Sequence, residues 1–205
     1  MKRLILASKS PRRKRLLELF GIPFDVVPSG ADESISSPLQ APDLVRELSR
    51  RKARAVANLE TGLIIGADTI VVKNGTVLGQ PDDPGEARKM LGLLSGTSHD
   101  VYTGVTLIDN RNGSKHRELS FQEKTRVWFA RLLEEEIEQY ILRGNPFDKA
   151  GGYGIQDDLG ALFVSRIDGD YYNVVGFPVH LFYQNIKTFA PDILNLRTQI
   201  HDTDL

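Results

Sequence analysis

Two short stretches of this chain carry residue types suited to chemistry, one to holding an anion and one to moving a proton or holding a cation. The first is Ser8-Lys9-Ser10-Pro11-Arg12-Arg13. Ser followed by Pro is a helix-start signal, with Ser10 as N-cap and Pro11 as the first helical residue. The first turn of a helix carries partial positive charge, so each exposed cation there costs about 0.3–1 kcal/mol. A capping box would place Glu or Gln third in the helix, where this chain has Arg13. These departures all point toward an anion, and helix N-termini with Arg forks are ready phosphate sites. The bland alternative is a solvated basic surface. The second stretch is Gly66-Ala67-Asp68-Thr69, which ends the continuous apolar run Leu63 to Ala67 with an acid. In open α/β sheets, ligands gather beyond the carboxyl ends of strands. Asp68 there suits a general base for water, or a hard oxygen ligand for Mg²⁺ or Mn²⁺. A capping or turn Asp is the equal alternative.

Weaker signals surround these two. Asp32-Glu33, Asp82-Asp83 and Asp157-Asp158 are loop acids, and Mg²⁺ sites use one or two carboxylates with phosphate oxygens. Of them, Glu33 is the candidate metal ligand. Lys149-Ala150-Gly151-Gly152-Tyr153-Gly154-Ile155-Gln156 lacks the spacing of a P-loop or a dinucleotide fingerprint. Its glycines permit close backbone approach to a base or phosphate. Gln156 offers both a donor and an acceptor to a nucleobase edge. There is no G-x-S-x-G elbow and no H-E-x-x-H. His99, His116, His180 and His201 lack metal-ligand spacing, and the absence of Cys excludes thiolate metal sites and a cysteine nucleophile. Trp128, in an apolar stretch, reads as core.

The elements that must position these residues alternate. Leu4 to Ala7 reads as a strand, Pro11 to Phe20 as a helix closed by Gly21, and Phe24 to Val27 as a second strand. Ser29 to Pro42 is a Ser- and Pro-rich loop before a long helix to about Leu59. Leu63 to Ala67 has the pattern of a strand buried on both faces. Asn74-Gly75 between Ile70-Val71-Val72 and Thr76-Val77-Leu78 signals a hairpin. A helix from Pro84 to Leu94 follows, then strands at Val101 to Ile108 and Thr125 to Phe129 around Asn112-Gly113. A helix at Leu133 to Leu142, a strand at Ala161 to Ile167 and a helix from Pro178 to Phe189 complete the pattern. Hairpins mixed with strand–helix–strand units predict an α/β fold with a mixed sheet.

With 205 residues, the chain suits one domain over 1–190, two lobes sharing a cleft, with a polar tail at 191–205. Its 26 Lys and Arg against 27 Asp and Glu exclude a protein built to coat nucleic acid. The balance hides an asymmetry: seven cations, Lys2 to Arg15, precede the first acid, Glu18. A basic targeting leader is the bland reading. Against it, the apolar run at 4–7 reads as a strand followed at once by a helix start. The expectation is a cytoplasmic protein with no membrane or nucleic-acid partner; no apolar run approaches the roughly 20 residues that span a bilayer.

Taken in order, the motifs resemble the Maf family of nucleotide pyrophosphatases. The resemblance runs from about Leu4 to Phe182 through LILASKSPRRKRLLELFGIPF, ADE at Ala31 to Glu33, RKA at Arg51 to Ala53, IIGADTIV, HDVYTGV from His99, Thr125-Arg126-Val127, DKAGGYGIQ from Asp148 and GDYYNVVGFP from Gly169. It implies an elongated Maf/ITPase-like mixed sheet with flanking helices around a cleft, often as a homodimer. It further implies metal-dependent hydrolysis of a nucleoside triphosphate between the α and β phosphates, with Mg²⁺ or Mn²⁺ as cofactor. By motif, Asp68 matches the general base and Arg12, Thr69 and Gln156 match positions tied to substrate choice. Arg13, Glu33 and Lys52 match cleft residues near phosphates or metal, and Ser8, Ser10 and Lys149 belong to the same motifs. ADT with KAGGYGIQ resembles the dTTP/UTP subgroup. One departure stands out: where the family usually has Lys-Pro, this chain has Gln80-Pro81. Gln80 brings no charge to a triphosphate, which keeps open a nucleotide-binding regulator of septum formation with weak turnover. A 7-methyl-GTP or purine triphosphate pyrophosphatase is the other alternative.

Overall fold

The computed structural model of the protein describes residues 3–34, 39–113, 116–143, 146–157 and 159–194. Lys2, Asp158, His201, residues 35–38 of the expected loop and 195–205 of the expected tail lie outside them.

Three apolar residues make β1 (Leu4–Leu6), buried on both faces. It pairs in parallel with β2 (Asp25–Val26) on one side and β3 (Leu63–Lys73) on the other. β3 folds back into β4 (Thr76–Leu78) through Asn74 and Gly75, both at positive φ, as the Asn-Gly signal predicts. It also runs antiparallel to β5 (Ser98–Asp109), which pairs with β6 (Arg117–Phe129), which pairs with β7 (Val164–Asp168). The order is β2-β1-β3-β5-β6-β7, with β4 on β3: a seven-stranded mixed sheet. Its helices are α1 (Pro11–Glu18), α2 (Ala41–Ala57), α3 (Pro84–Leu94), α4 (Glu134–Arg143), the short α5 (Gly160–Phe163) and α6 (Tyr171–Val175), and α7 (Val179–Phe189). Short 3₁₀ turns at Pro146–Asp148 and Ala150–Gly152 carry the glycine-rich stretch.

Alternation along the strands divides the core in two. On one face, Ala53 and Val56 of α2 pack with Ile5, Ala7, Ile64 and Ile108. The other face buries Leu4, Leu6, Ile65, Val105 and Leu107 in a larger core that includes Phe177 and Phe182. Two glycines let α2 approach the sheet. A Cβ on Gly66 would lie 2.3 Å from the Ser49 carbonyl oxygen, and one on Gly104 would lie 2.2 Å from that of Val45.

Several expectations need correction. Asp68 does not end a strand: β3 continues through it to Lys73, because β5 pairs with it in unbroken antiparallel register from Leu63 to Val72. What ends is β1 alongside it. Trp128 is not core; it is half-buried, with the Arg166 guanidinium 4.7 Å above its ring. The strand expected from Ala161 begins only at Val164, after the α5 turn. The polar, partly exposed first half of β6 carries the strand expected at Thr125 to Phe129 back to Arg117, and no sequence signal marks α6. Among the described residues, no helix is long and apolar enough to cross a membrane.

Gly66→Ala or Gly104→Ala drives a methyl into helix backbone that cannot rotate away. Each is expected to lower stability by about 1–3 kcal/mol or more, read as a lower urea midpoint at unchanged m-value.

Candidate active site

The cleft forms where β1 stops and β3 does not. The Ala7 amide makes the last β1-side bond, to the Ile65 carbonyl at 2.8 Å; the chain then leaves the sheet through Ser8 and Ser10 into α1. Asp68 and Thr69 lie just beyond that point. As neighbours on a strand they face opposite sides of the sheet, yet both border one cleft of about 860 Å³. That volume is within the usual range for a small-molecule site.

Asp68 shares its face with Gly66, against α2, so it meets Lys52. The Lys52 Nζ is 2.5 Å from Asp68 Oδ1 and 3.0 Å from Glu33 Oε1. Asp68 is buried, whereas Glu33 is exposed at the rim. Thr69 faces the other way, toward Arg13 and the buried Thr103, whose hydroxyls lie 3.0 Å apart. Thr103 in turn donates to the carbonyl of Asn173 in α6 at 3.0 Å.

Ser10 caps α1 as predicted, its Oγ accepting from the Arg13 amide at 3.4 Å. The Arg13 guanidinium reaches across the cleft. It donates to the Gly176 carbonyl at 3.0 Å, to Thr69 Oγ1 at 3.0 Å and to Ser8 Oγ at 3.4 Å. These are all neutral oxygens; among the described residues no carboxylate pairs with it. Burial pushes its pKa below the ordinary arginine value, partly countered by the charge of Asp68. The group remains a cation.

Arg12 is spent differently. It holds Asp148, Nη1 to Oδ2 at 2.5 Å and Nη2 to the carbonyl at 2.7 Å, while Gln80 donates to that same carbonyl at 3.2 Å. Burial raises the Asp148 pKa, but hydrogen bonds from Lys149 and Arg12 more than offset this and leave it below the usual carboxylate range. The buried Lys149 Nζ lies 2.7 Å from Asp148 Oδ1 and 3.3 Å from Asp157 Oδ2. Gln156 lines the cleft with its Nε2 donating to Asp157 Oδ1 at 2.9 Å.

All the expected site residues therefore border or buttress one cleft, despite spanning positions 8 to 156. Sequence reasoning missed Thr103, Asn173 and Asp148, although all three lie inside motifs quoted for the resemblance. The sequence alone marks Asp157 only as a loop acid. Among the described residues, no group of three His, Cys, Asp or Glu converges to hold a metal unaided. Asp68 and Glu33 do converge on one ammonium. That pair of hard oxygen donors fits Mg²⁺ or Mn²⁺ when phosphate oxygens complete the shell.

With this geometry in view, residues 3–189 match the family described as Maf-like protein. The chain belongs to that family. A dTTP/UTP pyrophosphatase of Bacillus cytotoxicus is 50% identical over 190 residues, covering 92% of this chain and 96% of that one. One from Bacillus cereus (strain ATCC 10987) is 47% identical over 194 residues, covering 94% and 93%. Among solved structures, a HAM1 protein from Coxiella burnetii shares 17% identity at a TM-score of 0.41, over 64% of this chain and 75% of that one. The Maf-like cleft here thus occupies the segment of the chain that the family match spans.

Behind the cleft wall, His99 Nε2 lies 2.7 Å from the hydroxyl of Tyr153, both residues buried. Burial, with the nearby Lys73 charge, pushes the His99 pKa down to about 4. Unfolded, it titrates near 6.5. Between those values the unfolded chain binds the extra proton. This contribution is full above about pH 6.5 and falls by about 1.4 kcal/mol per unit as pH drops toward 4. His99→Gln should flatten that limb of the urea midpoint against pH, relative to wild type.

Proposed function

We propose that the protein is a nucleoside triphosphate pyrophosphatase acting on dTTP and UTP, releasing the monophosphate and pyrophosphate. The observation that carries this reading is Arg13: a half-buried guanidinium that, among the described residues, is held only by neutral oxygens, at a helix N-terminus, about one cleft with Asp68. Such a cation is matched by an anionic ligand better than by anything around it. The relatives' names supply the chemical class of that anion.

In this reading the Arg13 guanidinium, at the start of α1, binds phosphate oxygens, with Lys52 beside it. Asp68 accepts a proton from water as the water oxygen bonds to phosphorus, and the α–β bridging bond breaks with its electrons leaving on pyrophosphate. Lys52 orients Asp68 before substrate arrives. Cationic and acidic side chains lining the cleft nearly cancel, so a triphosphate brings more negative charge than the protein alone offsets. A divalent cation held by Asp68 and Glu33 would supply that missing charge neutralisation. Gln80 leaves the cleft one cation short of the family pattern, which makes Arg13 and Lys52 the main protein contacts for phosphate.

Pyrophosphate should appear from dTTP and UTP, and not from purine triphosphates or 7-methyl-GTP, in an assay that separates it from phosphate. EDTA should stop the reaction and Mg²⁺ or Mn²⁺ restore it. Asp68→Asn should lower kcat by about 10²–10⁴-fold, and Arg13→Met should raise KM. Wild-type turnover in Asp68→Asn would remove Asp68 as base. Release of phosphate in place of pyrophosphate would overturn the reading as a whole.

A further inference from the structure

The Gln156 amide poses a problem of orientation. A glutamine side chain has nearly the same shape when its oxygen and nitrogen exchange places, so only its partners decide which atom lies where. The choice matters for a pyrimidine. Uracil and thymine present an N3–H donor flanked by carbonyl acceptors. Cytosine presents an N3 acceptor beside an amino donor. An amide that offers oxygen to N3–H and nitrogen to O4 reads uracil and thymine. Turned over, the same amide reads cytosine.

In this protein the partner is Asp157. Its Oδ1 accepts from Gln156 Nε2 at 2.9 Å. Its Oδ2 accepts from the Tyr140 hydroxyl at 3.1 Å and lies 3.3 Å from the Lys149 ammonium. A carboxylate in an ion pair only accepts, so an inverted Gln156 would set oxygen against oxygen. The surroundings are shaped to hold the acid. The Tyr140 hydroxyl also accepts from the Gly154 amide at 3.0 Å, and its ring is buried. A Cβ on Gly154 would lie 2.5 Å from Asp157 Oδ2 and 2.8 Å from Gln156 Nε2, so only glycine leaves room for the pair. One Nε2 hydrogen is committed to Asp157. The oxygen and the second hydrogen are left for a ligand, and among the described residues nothing hydrogen-bonds Gln156 Oε1.

We infer that Asp157 is a specificity-positioning residue: it locks the Gln156 amide with its oxygen available to an N3–H donor, so that the cleft takes uracil or thymine and rejects cytosine. The inference rests on the pyrimidine reading above and adds the residue that enforces it. Asp157 acts through Gln156, with no contact of its own to substrate. Polar mismatches of this kind discriminate far more strongly than a missing methylene, because the buried partner is left unpaired.

The test is calorimetric binding of the α,β-methylene analogues of dTTP and dCTP to wild type and Asp157→Asn, with release of pyrophosphate from the natural nucleotides measured alongside. The Asn amide keeps the shape of Asp157 but pairs with Gln156 in either orientation. Wild type should prefer the thymine analogue. In Asp157→Asn that preference should shrink about tenfold or more, with the cytosine analogue gaining affinity. A merely structural role weakens both ligands together and produces no gain. Should Asp157→Asn fail to fold, judged by its thermal transition, Asp157→Ala decides by the same criterion. An unchanged preference in the folded variant, or no preference in wild type, overturns the inference. A wild type that binds with this preference yet releases no pyrophosphate would sink the proposed activity and leave the assignment of Asp157 standing.

Discussion

The site depends on the unequal length of two neighbouring strands. β1 ends after three residues, while β3, beside it, runs for eleven. Where the short strand stops, the backbone of the long one is covered on one edge by β5 and open on the other. Alternation then sends Asp68 to the α2 face and Thr69 to the opposite face. Both faces reach one cavity only because no strand fills the gap between them. The turn after Ala7 uses the same gap to set α1 across it, so Arg13 can bond Thr69 and Gly176 at once.

Close packing behind the gap is the second requirement. Lys52 meets Asp68 at 2.5 Å because α2 lies on the sheet at Gly66 and Gly104, where side chains would hold it away. Any larger residue at either glycine would move the ammonium as well as strain the core. Two glycines with no chemical group of their own thus set the distance of a charge pair. The buried Ser49–Thr106 bond at 2.8 Å fixes the helix along the same contact.

Much of this was legible in order of locality. Ser10-Pro11 announced both the start of α1 and its cap, since capping is a matter of four adjacent residues. Asn74-Gly75 announced its hairpin for the same reason. Asp68 was legible as an anomaly but not in its true setting. Apolar pattern stops at Ala67, and only the long-range ladder with β5 carries the strand through two polar residues. Those residues are tolerated there because Lys52 and Thr103 satisfy them. α6 escaped notice because Asn173-Val174-Val175 has poor helix propensity; the Asp170 cap, which bonds the amides of Tyr172 and Asn173, holds it. Trp128 misled because its strand is apolar on one side only. The polar ties from Arg12 to Gln156 span more than a hundred positions, and no local rule reaches that far.

Those ties also connect the two ends of the cleft. Arg12 on α1 grips Asp148; Lys149 bridges Asp148 to Asp157; Asp157 holds Gln156. The Gly151 amide, bonded to the Gly79 carbonyl at 2.8 Å, pins the same segment to the end of β4. The cationic helix start and the amide beyond the glycine-rich turns are thus joined through one buried ammonium. Only the ammonium of this chain is buried, so it is the member that most needs its partners in place. This explains why the segment needs glycines at positive φ, Gly151 and Gly152, although neither lies at a tight hairpin. The backbone must double back within a few residues to bring Asp148 and Asp157 to the same ammonium, and a Cβ on Gly151 would crowd Val71 at 3.1 Å. The glycine-rich stretch accordingly serves to gather these charges.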